Sequence, residues 1–346
     1  MTDDITLKLL NWYDSEKRIL PWRNLDRKKI DPYRVWISEV MLQQTTVNTV
    51  KNRYKKFLKR FPDIFILSQS SSEEVLEEWA GLGYYSRARN LHIASKIIVD
   101  KFNGKIPSDE KNLISLPGIG AYISGAIRAI AFNKKALAVD VNAERIITRF
   151  YNLKSKTEFK KISLSDFYSL IPESRPGDFA EAIMDLGSMI CKKLNPICTK
   201  CPLKMDCKSF MNLEFNIISK KKNYKKSRNG KCFVIKRNID DKMLFVRNPT
   251  KGVLGGMLSF PSYGWFYTDQ DAILKKRINA YAKNLSFIKN KNTMIFHEFS
   301  HFKLNLKIYY AETYNLDLEN GIWINADVAK DKLPTLMKKV IIKLFD

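Results

Sequence analysis

Glycine and proline are scarce, 14 and 12 in 346 residues, which excludes a collagen-like or low-complexity chain. No run of about 18 apolar residues occurs, so the sequence offers no membrane span. The first residues, Met1-Thr2-Asp3-Asp4, are acidic and run into an amphipathic segment rather than a signal peptide, and a cytoplasmic protein is expected. Negative charge is also short: 36 Asp and Glu stand against 60 Lys and Arg, a formal net charge of +24. Hydrophobic residues at 45% and aromatics at 12% are too many for a disordered chain. Length predicts two or three domains. A globular protein this basic attracts polyanions, DNA or RNA first. An anionic membrane surface is the weaker candidate, because no basic amphipathic anchor stands out.

Cysteine is rare, yet four of the five fall together. Cys191, Cys198, Cys201 and Cys207 are spaced C-x6-C-x2-C-x5-C. Without a signal peptide this is no disulfide framework, and the density predicts a metal site. Zinc and an iron–sulfur cluster both accept four thiolates, and the spacing does not choose between them. Cys232 stands alone and is expected to be a small core residue. Lys192, Lys193, Lys200, Lys204 and Lys208 decorate the four-cysteine loop, which predicts a rigid element that contacts phosphates.

The chain divides into a helical domain over 1–210, a basic linker over 211–230 and an α+β domain over 231–346. Asp31-Pro32 is a helix start, and Val47, Val50, Tyr54, Phe57, Leu58 and Phe61 recur at helical spacing. Further helices are expected over 73–80, 86–101, 121–132, 141–151, 163–171 and 177–190. After the lysine-rich stretch 220–230 come strands at Cys232–Lys236, Met243–Arg247, Thr293–Phe299, Leu304–Tyr310 and Ile322–Ile324, with helices near 270–284 and 334–345.

Four places carry possible chemistry. Leu116-Pro117-Gly118-Ile119-Gly120 between two helices reads as a plain αα-hairpin turn or as a helix-hairpin-helix: its glycines permit a tight turn, and the next helix offers free N–H groups to a phosphate. Glu39 lies in an almost wholly apolar helix; by itself it reads first as an exposed helix-face Glu, whereas desolvation there would raise its carboxyl pKa toward that of a general acid. Asp140 precedes a helix and reads as an N-cap. Gly81-Leu82-Gly83-Tyr84-Tyr85 reads as a loop against DNA or a turn between helices.

The order of these pieces is distinctive. Ser38-Glu39-Val40-Met41-Leu42-Gln43-Gln44-Thr45, then Gly81–Tyr85, Arg87-Ala88-Arg89-Asn90-Leu91, the hairpin, Asp140 and the four cysteines together resemble the MutY family of adenine DNA glycosylases. That family belongs to the helix-hairpin-helix superfamily, with endonuclease III. The resemblance runs from Pro21-Trp22-Arg23 into the C-terminal domain. It implies a 4Fe–4S cluster at Cys191, Cys198, Cys201 and Cys207. It implies Glu39 as the acid, Asp140 as the stabilising carboxylate and Tyr122 beside them. Trp22, Arg23, Glu181 and Tyr122 match the adenine pocket, and Gln43, Gln44 and Tyr84 the DNA wedge, with Leu42 adjoining. The implied partner is double-stranded DNA with adenine opposite 8-oxoguanine, bound by a monomer.

Gly252–Met257 and Phe260-Pro261 resemble the start of a Nudix-type fold, but Lys275, Lys276 and Arg277 stand where its Glu-rich catalytic box belongs, so nucleotide hydrolysis is not expected. Phe299-Ser300-His301 matches the family's 8-oxoguanine-reading loop; oxidation makes N7 a donor and adds an O8 acceptor, and a serine hydroxyl can sense both. Three departures stand out: Val141 where the family has Gly, Leu258-Ser259 for Trp-Glu, and a longer loop over Arg27 to Ile30. An endonuclease III-like lyase would carry Lys where Tyr122 stands; a phenol cannot form a Schiff base, so a monofunctional enzyme is expected. A lysine there would have its pKa lowered by the helix N-terminus and by nearby cationic side chains. A thymine–guanine mismatch glycosylase can carry Tyr but commonly lacks the C-terminal domain. A non-catalytic, metal-stapled DNA-binding module would need neither carboxylate.

Overall fold

The chain enters its first helix at once, α1 (Thr2–Glu16), and several later helix starts carry a side-chain cap. In the computed structural model, which describes residues 2–23, 30–212, 225–249, 252–266, 268–282, 285, 293–314 and 321–345, Asp31 caps α2 (Pro32–Leu42) by accepting the Tyr33 N–H at 2.9 Å. Thr46 caps α3 (Val47–Arg60), and α4 (Ile64–Gln69) follows. Ser71 and Glu74 cap each other's backbone at the start of α5 (Ser72–Glu78). Then come α6 (Ser86–Phe102), α7 (Glu110–Ile114) capped by Asp109, α8 (Ala121–Ala126), α9 (Val141–Phe150) capped by Asp140, and α10 (Lys156–Leu164) capped by Ser155. α11 (Asp166–Ser169), α12 (Pro176–Met189) and α13 (Lys208–Met211) complete the helical set.

Two expected helices differ. The helix expected over 163–171 begins at Lys156, because Ser155 caps it and Glu158 reaches back to the Lys154 N–H, and it breaks at Ser165. The helix expected over 121–132 is α-helical only to Ala126 and continues as one π turn, Ile127–Ala131. There α12 presses close: a Cβ on Gly177 would stand 2.7 Å from the Ala129 carbonyl oxygen.

The residues form two compact units. One comprises Met1–Gln69 and Asn90–Lys221, the other Ser70–Arg89 and Lys222–Asp346. In the first, α1, α9 and α12 bury Leu9, Tyr13, Ile147, Phe179 and Leu186, with Cys191, Cys201 and Cys207 packed against that core. The segment 70–89, which the sequence reading places in the 1–210 domain, groups instead with the C-terminal chain. Arg89 donates to the Gly255 carbonyl at 2.8 Å, and Glu73 pairs with Arg247 at 2.8 Å.

The second unit holds a mixed sheet in the order β3-β2-β1-β6-β5. Its strands are β1 (Lys226–Arg237), β2 (Lys242–Arg247), β3 (Leu258–Ser259), β4 (Ser262–Tyr263), β5 (Thr293–Glu298), β6 (Phe302–Thr313) and β7 (Ile322–Ile324). β1 and β6 pair in parallel from Lys226↔Phe302 to Arg237↔Thr313, and the other pairs are antiparallel. Helices α14 (Thr268–Ala282), α15 (Ala326–Lys332) and α16 (Thr335–Phe345) accompany the sheet. The expected linker is therefore too long at its end: Lys226–Gly230 are strand. Their partner lies some seventy residues on, and their basic side chains suit a half-covered strand end. Linker residues 213–224 and most of the loop extension before Ile30 lie outside the described residues.

Candidate active site

α2 is buried from Val35 through Met41, and Glu39 sits on it with only 4% of its surface exposed. Its pKa is pushed up to about 7. Burial is the main cause; the hydrogen bond from Tyr122 works the other way, Asp140 and Glu181 add to the rise, and Arg23 opposes it. Tyr122, the second residue of α8, is half-buried against Val35, Ala126 and Ala180 and donates its hydroxyl to Glu39 Oε2. Burial, then Glu39 and Asp140, hold that phenol well above its ordinary pKa, so it stays a donor. The charged groups that act most on Tyr122 are thus the two carboxylates.

Asp140 is the N-cap of α9. Oδ1 accepts the Asn142 and Ala143 N–H groups at 2.9 and 2.8 Å, and Oδ2 accepts Asn142 Nδ2 at 2.8 Å. Capping fixes where this carboxylate points. Val141 is 69% exposed, and the cap beside it is intact.

Behind Glu39 lies a buried ionic network. Tyr13 donates to Glu181 Oε2, and Arg23 Nε stands 3.6 Å from Glu181 Oε1. Arg23 also grips Asp185 with Nη1 and Nη2 at 2.6 and 2.9 Å, and Arg18 Nε reaches Asp185 at 2.6 Å. Sequence reasoning missed Tyr13, Arg18 and Asp185. The signal that singled out Glu39, a carboxylate in an apolar helix, was there for Asp185 in Ala182-Ile183-Met184-Asp185-Leu186. Asp185 also lies four residues after Glu181, on the same helix face.

Trp22 meets Tyr54 edge to face at 5.6 Å and, with Arg23, Ile30, Asp31, Arg34 and Val35, lines a cavity of about 390 Å³. Glu39, Tyr122 and Asp140 are not on its wall. Leu42 and Gln43, at the end of α2, are half-buried, whereas Gln44 is exposed. Gln44 (φ 55°) and, in the other unit, Tyr84 (φ 45°, 42% exposed) both take the left-handed backbone that side chains seldom adopt. Arg87 lies over the Tyr84 ring at 5.5 Å, supporting it.

In the hairpin between α7 and α8, Leu116 and Ile119 are buried anchors, while Pro117 is half-exposed and Gly118 and Gly120 face outward. Gly118 has φ +82°, and a Cβ there would stand 2.9 Å from Asn90 Cβ. A Cβ on Gly120 would meet nothing within 4 Å, so its bareness leaves the surface open to a ligand.

In the second unit Phe299, Ser300 and His301 form the tip of the β5–β6 hairpin, closed by the Phe299 N–H donating to the Phe302 carbonyl at 2.9 Å. Phe299 stacks on Trp265 and Phe302, while Ser300 and His301 are exposed, with Ser300 Oγ 3.1 Å from His301 Nδ1. The three line a cavity of about 530 Å³ whose other walls include Gly81–Ser86, Arg89 and Gly252–Leu254.

No disulfide joins the four cysteines, and each pair among them interacts electrostatically, so all four converge. Arg149 braces the loop: Nη1 reaches Cys191 Sγ at 3.4 Å and the Lys192 carbonyl at 2.7 Å, and Nη2 the Lys193 carbonyl at 3.0 Å. Four thiolates brought together are a donor set that a zinc ion or a four-iron cluster can take. Lys192, Lys193, Lys200 and Lys208 are exposed, whereas Lys204 is half-buried over the Phe210 ring.

Residues 37–166 match the HhH-GPD superfamily of base excision DNA repair proteins, and residues 232–343 match the NUDIX domain. Among solved structures, that of a thermostable thymine-DNA glycosylase superposes with a TM-score of 0.54 at 26% identity, covering 61% of this chain and 97% of that one. These matches make the chain a DNA glycosylase, a hydrolase of N-glycosyl bonds. The chain is 34% identical over 350 residues to the adenine DNA glycosylase of Buchnera aphidicola subsp. Baizongia pistaciae, covering 97% of this chain and 95% of the relative. To the adenine DNA glycosylase of Homo sapiens it is 30% identical over 358 residues, covering 87% and 65%. The chain belongs to the adenine DNA glycosylase family.

Proposed function

We propose that this chain excises adenine from double-stranded DNA where it is mispaired with 8-oxoguanine or guanine, acting as a monofunctional glycosylase. The observation that carries the reading is Glu39: a buried carboxyl that holds its proton up to about pH 7 and, among the described residues, accepts a phenol hydrogen bond on Oε2 alone. Adenine must leave the base stack before its glycosidic bond is reached. With Oε2 occupied by Tyr122, Oε1 of Glu39 delivers the proton to N7. The C1′–N9 bond then breaks with both electrons going to the base, and the sugar becomes an oxocarbenium ion. Asp140, oriented by its three donors, stabilises that cation. Water adds to C1′ and its proton returns to Glu39. Tyr122 has no amine, so no imine forms and the strand is left unbroken.

Trp22, Arg23 and Glu181 form the pocket for the extruded base. Gln43, Gln44 and Tyr84, with Leu42, fill the gap in the duplex, and the left-handed backbone at Gln44 and Tyr84 supports that role. Leu116–Gly120 seats a phosphate. Phe299, Ser300 and His301 read 8-oxoguanine. Cys191, Cys198, Cys201 and Cys207 are suited to a 4Fe–4S cluster, which when bound staples the lysine-bearing loop. No helix among the described residues is long and apolar enough to cross a membrane; we place the protein in the cytoplasm, as a monomer.

The test is single-turnover cleavage of duplexes with adenine opposite 8-oxoguanine, guanine, cytosine or thymine. Fast release of adenine opposite 8-oxoguanine and guanine, with no strand nick before alkali, is expected. Preferential release of thymine opposite guanine would sink the reading.

A further inference from the structure

Asp185 has a wholly buried side chain, yet no step of the proposed reaction uses it. It lies one turn beyond Glu181 on α12. Oδ2 accepts from Arg23 Nη1 at 2.6 Å and from the Arg18 backbone N–H at 3.0 Å. Oδ1 accepts from Arg23 Nη2 at 2.9 Å and from Arg18 Nε at 2.6 Å. Four donors saturate this carboxylate. Burial works to raise its pKa, but the hydrogen bonds and charge of Arg23, with those of Arg18, carry it below the ordinary value.

A bidentate carboxylate fixes the plane of a guanidinium. Here it leaves Arg23 Nε directed toward Glu181, 3.6 Å away, while Nη1 also donates to the Arg18 carbonyl at 3.2 Å. Arg23 therefore cannot turn to pair with Glu39. It is also a buried cation, with 8% of its side chain exposed, and left uncompensated it would favour the anion of any carboxyl nearby. Among the described residues, those that act most on Glu39 are Tyr122 from α8, Asp140 at the cap of α9, Glu181 from α12 and Arg23 from the segment after α1. Asp185, shared with Arg18, offsets the charge of Arg23, the cation among these.

We propose that Asp185 is a positioning residue for excision: its clamp holds the Arg23 guanidinium on Glu181 and keeps an uncompensated cation from acting on Glu39. The proposal rests on Glu39 being the acid. It separates from that reading because it concerns where the pH dependence falls, not whether Glu39 is needed.

The experiment compares single-turnover adenine excision for the wild type, Asp185→Asn, Arg18→Gln and Glu39→Gln across roughly pH 5.5 to 9. The wild-type rate should fall as pH rises through about 7. Asp185→Asn removes a negative charge and frees Arg23, both of which favour the Glu39 anion, so its limb should move down by about one pH unit. Arg18→Gln removes a positive charge at the rim, where 22% of the side chain is exposed, and should move the limb slightly upward. Opposite shifts cannot come from general loss of stability. Arg18→Gln decides the matter alone if Asp185→Asn does not fold. Limbs that stay in place, or move together, overturn the clamp. A wild type without a limb near pH 7, or an active Glu39→Gln enzyme, overturns the assignment of Glu39 instead.

Discussion

Glu39 is useful because its burial is costly. In the unfolded chain it titrates at the ordinary value of 4.5, in the folded one at about 7. Below 4.5 both states hold the proton and nothing is lost. Between the two values the folded state alone is protonated, and stability falls with rising pH. Above 7 the folded state carries the full penalty of a buried anion, about 3 kcal/mol. Glu39→Gln has no such penalty, so its stability advantage over the wild type should open between pH 4.5 and 7 and then level off. Urea unfolding of both proteins on either side of that window checks this. The same variant should lose excision by about 100-fold or more while still binding DNA. Ser300 tests the other unit: its hydroxyl is exposed at a hairpin tip, bonded to nothing closer than His301 among the described residues. Ser300→Ala should cut the preference for 8-oxoguanine over guanine by about 0.5–1.5 kcal/mol and leave adenine excision opposite guanine intact. Unchanged selectivity would assign the reading to His301 or the backbone.

At the scale of elements, two features fold local chemistry into function. α9 begins at Asp140, so the cap that starts a helix also sets a carboxylate at the site. The cysteine loop is braced from within by Arg149 and carries its lysines outward. If those lysines meet phosphates, affinity for DNA falls steeply with salt. Replacing Lys192, Lys193, Lys200 and Lys208 together by Gln should reduce the slope of log K against log salt by up to about 3–4. Lys204, lying over Phe210, should contribute less. An unaltered slope in the quadruple variant would remove the loop from the DNA surface.

At the scale of the whole molecule, the chain does not divide in sequence order. Ser70–Arg89, with Tyr84, shares a compact unit with the C-terminal sheet, tied by Arg89 to Gly255, Glu73 to Arg247 and Glu77 to Lys332. Cutting the chain after Lys221 strips that segment of its partners. Hydrogen exchange over 72–89 should then speed up strongly, while α9 and α12, buried among themselves, keep their protection. Equal protection of 72–89 in the full and truncated chains would contradict the grouping.

Much was legible in the sequence because the signals were local. Caps at Asp31 and Asp140, the apolar run around Glu39 and the cysteine spacing each depend on a few adjacent residues. Alternating runs located β2, β5 and β6, while β3 and β4, two residues each, were too short to show a period. The linker's end was misjudged because Lys226–Gly230 become strand only through β6, some seventy residues away. The chain order of motifs was enough to indicate a glycosylase. Tertiary structure alone decided that Tyr122 donates to Glu39, that Arg23 is shared between Glu181 and Asp185, and that residues 70–89 belong with the sheet. Those facts depend on which distant side chains are desolvated together. Burial and charge pairing in space set an acid's strength, and neither is a property of residues that adjoin in sequence.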